Sequence, residues 1–71
     1  MTLLEFAKRQ EEYVAKLARD IRRLFVLKPT FDAEAYAKKA CREVPLLKGV
    51  SSNEILAEAI SPGSFRNGGD T

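Results

Sequence analysis

Histidine and tryptophan are missing from these 71 residues, and cysteine occurs once, as Cys41. Each absence removes a class of chemistry. Without His there is no imidazole to activate a nucleophile, and the Cys/His sets that hold structural zinc cannot be assembled. A single cysteine excludes a disulfide within the chain, and a lone thiol fits a reducing compartment. Of the four glycines, Gly68 and Gly69 form a pair, but no strand precedes it and no helix follows, so it cannot be a phosphate-cradling loop. No apolar run approaches the roughly 20 residues of a membrane span. The opening MTLLEF carries Glu5 where a signal peptide would have its apolar centre, so neither export nor a membrane anchor is expected and the cytoplasm is. The carboxylates Glu11, Glu12, Asp20, Asp32, Glu34 and Glu43 lack the His partners of helix-bundle metal sites. An enzyme, a metal centre and a cofactor are therefore not expected.

An excess of charge of either sign is also lacking. Twelve basic residues stand against ten acidic ones, a net charge of +2 that is too balanced to imply nucleic-acid binding by field strength. The distribution says more. Residues 1–30 hold seven Lys or Arg against Glu5, Glu11, Glu12 and Asp20, for +3, and residues 31–71 hold five against six, for −1.

What is present is one long amphipathic pattern, LLEFAKRQEEYVAKLARDIRRLFVL, over residues 3–27. Leu3, Ala7, Val14, Leu17, Ile21 and Leu24 recur at three and four residues with no Gly or Pro between them, which predicts a helix. Written as heptads, Ala7, Val14 and Ile21 take a, and Leu3, Gln10, Leu17 and Leu24 take d, so the seam is broken once, by Gln10. Gln10 either fixes a dimer's register or marks where the seam turns outward. Leu4, Phe6, Tyr13, Ala18 and Phe25 widen the apolar arc beyond what a two-stranded coil needs, which suits a bundle. Such a helix spans roughly 37 Å at about 1.5 Å per residue. Two shorter helices would cover it only in part, and a chain of this size gains little from one core, so a homodimer is expected through Leu3, Ala7, Val14, Leu17, Ile21 and Leu24.

The start of this helix is marked by Thr2 and Glu5, spaced as a capping box. Glu5 with Arg9 and Glu12 with Lys16 are spaced as supporting ion pairs. Lys28-Pro29-Thr30 ends the helix. A second helix is expected over 31–44, capped by Thr30 or Asp32, with Ala33, Ala37, Ala40 and Val44 as a narrow stripe flanked by Tyr36 and Cys41. Its small residues would let it lie antiparallel against the first as a helical hairpin. Pro45 stops it, and Leu46, Leu47 and Val50 are expected to plug the open end. Ser51 and Glu54 form a second capping box, with Val50 and Ile55 as a hydrophobic staple, and predict a third helix over 52–60 whose buried face is Ile55, Leu56, Ala59 and Ile60. The fold class is thus all-α: a long N-terminal helix packed against two shorter ones in a single domain, residues 1–60, as a dimeric bundle. Residues 61–71, SPGSFRNGGDT, read as a flexible tail unless Phe65 docks.

The candidate contact residues are Lys16, Arg19, Arg22 and Arg23, with Lys28, and Tyr36. The basic group can meet an acidic protein surface or phosphates, and equally can be a solvated helix end made basic for its dipole. Tyr36 is a large amphipathic side chain beside an alanine stripe, and aromatics with Arg dominate interface hot spots. Cys41, with no His to activate it, reads as a small buried hydrophobe.

The pieces TLLEFAKRQEEYVAKLARDIRRL and PTFDAEAYAKKA resemble the small early proteins of Mu-like temperate phages of pseudomonads. In size and layout the chain is similar to the quorum-sensing anti-activators of that group over residues 1 to about 60. The resemblance implies a dimeric helical inhibitor in the host cytoplasm that blocks the DNA-binding region of a LuxR-type regulator and a type IV pilus assembly ATPase. It assigns no functional residue.

Three functions compete on these grounds. The first is a protein-binding regulator or inhibitor that pairs with itself and with a host transcription regulator or motor ATPase, without catalysis. The second is a small DNA-binding transcriptional regulator using the basic end of the first helix. Helix-turn-helix binding fits poorly, because six or seven residues with Pro45 among them separate the later helices where a 3–4-residue turn is needed. The third is a structural or assembly factor.

Overall fold

The computed structural model describes residues 2–65, and these form three α-helices, one short 3-10 turn and no strand. Helix α1 runs Leu3–Leu27, α2 Ala33–Glu43 and α3 Ser52–Ile60, with the 3-10 turn Pro45–Leu47 between α2 and α3. Each helix starts where a side chain satisfies free N–H groups. The Thr2 hydroxyl accepts from Glu5 N while the Glu5 carboxylate accepts from Thr2 N. Ser51 and Glu54 repeat this reciprocal arrangement for α3. Asp32 caps α2 by accepting from Ala35 N, so α2 begins two residues later than its apolar pattern suggested. Because Glu5 is occupied at the cap, its spacing to Arg9 makes no ion pair, and Glu12 makes none with Lys16. The pair that does form among the described residues is Glu34–Lys38, at 3.2 Å on an exposed face of α2.

Helix α3 bridges α1 and α2, and the backbones of α1 and α2 hardly approach one another. The long first helix packs against two shorter ones, as expected, but α2 meets α1 through side chains and not as a close-packed hairpin. The alanine stripe of α2, with Ala33 and Ala37 buried, admits α3 and the 3-10 turn at close backbone approach, while Tyr36 and Ala40 face Tyr13 and Leu17 of α1 across a hollow. The residual gap between α1 and α2 is spanned by aromatic side chains. Phe25 meets Phe31 edge-on at 5.9 Å, and Phe31 meets Tyr36 at 5.5 Å. The molecule measures 39 × 27 × 15 Å, its short dimension being little more than one helix laid upon another.

The core gathers Val14, Leu17, Ala18 and Ile21 from α1, Ala33 and Ala37 from α2, Leu47 and Val50 from the connection, and Ile55 and Ala59 from α3. Val14, Leu17 and Ile21 were expected at a dimer seam, but α3 and the connection cover them within one chain. They have no area left for a second copy. Of the other seam residues, Leu3 is 88% exposed and Ala7 and Leu24 are half-buried. Leu47 and Val50 are buried as expected, with Leu46 half-buried.

Gln10 is buried, and its amide donates to the carbonyls of Leu46 (3.0 Å) and Lys48 (3.2 Å). The polar break in the seam therefore serves the 3-10 connection and sets no register between copies. On α3, Ile60 lies on the solvent side at 85% exposure while Glu58 is buried in its stead. The chain after α3 turns back: Gly63 N and Phe65 N donate to the two Glu58 oxygens at 2.9 and 2.7 Å, and Ser64 Oγ donates at 3.4 Å. Gly63 supports this reversal with a φ of 91°, a conformation open to glycine at little cost. Phe65 packs on the core, so residues 61–65 belong to the fold, and the flexible-tail expectation for 66–71 lies outside the described residues.

Candidate functional site

Lys16, Arg19 and Arg23 are spaced three and four apart, which puts them on one stripe of α1, and all three are exposed. None has a salt-bridge partner among the described residues. The buried side of the helix is committed to α3, so this stripe faces away from the core. Arg22 leaves the group. Its Nη1 donates to the Ala59 carbonyl at 3.3 Å, satisfying one of the last acceptors of α3 where the helix dipole is negative. The last turn of α1 itself holds no cation: Leu24, Phe25, Val26 and Leu27 make it apolar on every side, and the arginines stand one turn earlier. Lys28 follows as the exposed C-cap residue.

Arg23 and Tyr36 meet in a groove between α1 and α2. It encloses about 310 Å³ and is lined by Asp20, Arg23, Leu24, Leu27 and Tyr36. On the other side of Tyr36 a second hollow of about 240 Å³ is bounded by Tyr13, Leu17, Lys39, Ala40 and Glu43. Tyr36 is half-buried, so it is a wall of the groove and not a free anchor. Burial raises its hydroxyl pKa, with the Asp20 and Tyr13 charges adding to the shift. The phenol therefore stays neutral. Leu27, at 72% exposure, lines this groove, and Val26 before it is 82% exposed.

Glu58 has the most heavily partnered side chain in the described residues. Burial would raise its pKa, but the hydrogen bonds from Gly63, Phe65 and Ser64, with the nearby Arg22 charge, outweigh that and hold it below the ordinary glutamate value. Its role is to fix the chain reversal. Nothing in the spacing of α3 marked it for burial; the only local signal was Ser61-Pro62-Gly63 ending the helix within reach of its carboxylate. Cys41 is half-buried, and burial, with Glu54 nearby, raises its pKa, which makes the thiol a poor nucleophile. Among the described residues no group of three or more metal-ligating side chains converges, and no helix is long and apolar enough to cross a membrane.

No protein-family model matches the chain, and neither a curated protein nor a solved structure matches it. The geometry stands alone: an exposed basic stripe on α1, a groove beside it with Tyr36 as its wall, and an apolar helix end.

Proposed function

We propose that the protein is a small non-enzymatic regulator or inhibitor that works by binding another protein, with Lys16, Arg19 and Arg23 as the contact surface. The observation that carries this reading is the contrast within the basic group. Arg22 is spent on the end of α3, whereas the other three stand on one exposed line and form no salt bridge among the described residues. A cation left unpaired on a rigid helix favours an anionic surface of matching spacing and speeds encounter with it. The preferred partner is therefore an acidic protein face. The resemblance to phage anti-activators supplies the first two targets to try, a LuxR-type regulator and a type IV pilus assembly ATPase, in a host cytoplasm.

Duplex DNA binding is the second reading, favoured by the same unpaired cations. It ranks lower because Glu5 and Glu12 share the helical stripe with Lys16, Arg19 and Arg23, and would face the phosphates along any longer contact. A photo-crosslinking residue placed at position 19 tests the proposal in cells, with position 34 on α2 as control. A discrete protein adduct from position 19 alone supports it. Adducts to nucleic acid from position 19 would put the second reading first, and equal adducts from both positions would move the contact elsewhere.

A further inference from the structure

We propose that the end of the molecule where α1 and α3 finish rests on an anionic lipid surface, with Val26, Leu27 and Ile60 entering the headgroup layer and Arg22 and Lys28 meeting its negative charge. This face uses none of the Lys16, Arg19 and Arg23 stripe and does not depend on the function assigned to that stripe.

Three observations carry it. The first is where the exposed apolar side chains stand. Of the six large apolar residues exposed among the described residues, four, Phe25, Val26, Leu27 and Ile60, belong to the last turns of α1 and α3. These two helix ends lie side by side, because the Arg22 guanidinium reaches the Ala59 carbonyl at 3.3 Å, so Ile60 joins the patch from a different element. The second is charge. Arg22 and Lys28 flank the patch, and Arg22 keeps its full charge while it donates to Ala59. The acids that open α2 beside this end are engaged elsewhere: Asp32 caps that helix and Glu34 pairs with Lys38. Leu3 and Leu4 are also exposed, but at the far end of α1 and beside Glu5, an acid that an anionic surface repels. The third is shape. At 82% and 85% exposure, Val26 and Ile60 project from their helix ends, so the patch is a convex tip. A bilayer takes in a projecting apolar turn without a preformed pocket, and basic flanks beside exposed apolar residues are the pattern of proteins that lie on anionic membranes. Among the described residues no helix is long and apolar enough to cross, so the contact stays at the surface.

The experiment is co-sedimentation of the full chain with lipid vesicles, made either of phosphatidylcholine alone or of phosphatidylcholine and phosphatidylserine in equal parts. The wild-type chain is expected to pellet with the anionic vesicles, to stay largely in solution with the neutral ones, and to be released by added salt. Val26→Asp and Ile60→Asp change side chains the fold does not bury, so each should weaken pelleting roughly tenfold with an unchanged helical circular-dichroism spectrum. Lys28→Glu should weaken it to a similar degree. Lys48→Glu makes the same change of charge where the chain meets Gln10, roughly 27 Å back along α1 at about 1.5 Å per residue, and should leave pelleting unchanged. A wild-type chain that stays in solution, equal pelleting with both vesicles, an Ile60→Asp chain that pellets like the wild type, or equal losses from Lys28→Glu and Lys48→Glu would each overturn the proposal. So would a wild-type dimer in sedimentation equilibrium that Val26→Asp dissociates, which would give the tip to a second copy.

Discussion

The Phe65 backbone N–H donates to the Glu58 carboxylate at 2.7 Å, across a separation of seven residues and at a site the solvent barely reaches. With Gly63 and Ser64 donating to the same side chain, one carboxylate orders the chain that leaves α3. Replacing it with an apolar residue leaves two backbone donors without their partner. Glu58→Ala is expected to cost about 2 kcal/mol and to free residues 61–65. Amide exchange at Gly63 and Phe65 measures this directly.

The same site has a pH dependence of defined sign. The folded pKa of Glu58 is below its unfolded value, so its contribution to stability is fully present above the unfolded glutamate range and is lost as pH falls through the folded pKa. Chemical denaturation at neutral and acid pH should show the wild type losing more stability than Glu58→Gln over that window. Equal losses would mean that other carboxylates dominate the acid limb.

Gln10 holds the connection between α2 and α3 through the carbonyls of Leu46 and Lys48. Gln10→Leu matches its volume but leaves both acceptors unpaired, at about 1–3 kcal/mol. For a domain this small each kcal/mol moves the melting temperature by roughly 4–8 °C. A thermal scan by circular dichroism reads the shift, and an unchanged midpoint would show that water replaces the amide at no cost.

Arg22 and Arg19 should behave as opposites. Arg22→Ala removes the donor at the Ala59 carbonyl and is expected to lower stability by about 1 kcal/mol. Arg19→Ala, on an exposed stripe, should stay within about 0.5 kcal/mol and affect only partner capture. Parallel denaturant titrations of the two variants separate structural from contact arginines.

Much of this fold was legible because its signals are local. Thr2 with Glu5 and Ser51 with Glu54 fix two helix starts within four residues each, and the apolar spacing from Leu3 to Leu27 gave α1 its full length. What packs on what was not legible. An alanine stripe accepts any helix, so Ala33 and Ala37 could not say that α3 would take the place expected for α1. Gln10 and Glu58 were misread or missed for a related reason. Their partners are backbone groups 36 to 38 residues away or beyond a turn, and backbone groups carry no sequence signature. At the candidate site, the basic group was visible as composition, but its division into Arg22 on one side and Lys16, Arg19 and Arg23 on the other depends on where α3 ends.

The central claim is that the exposed basic stripe binds a protein, and affinity capture tests it most directly. Tagged wild-type chain and the double variant K16A/R19A are used to pull partners from nuclease-treated bacterial lysate, with bound proteins identified by mass spectrometry. The account predicts a stoichiometric protein on the wild type that is lost from the variant while the helical signal of both is equal. Equal capture by both chains, or recovery of nucleic acid alone when nuclease is omitted, would contradict it.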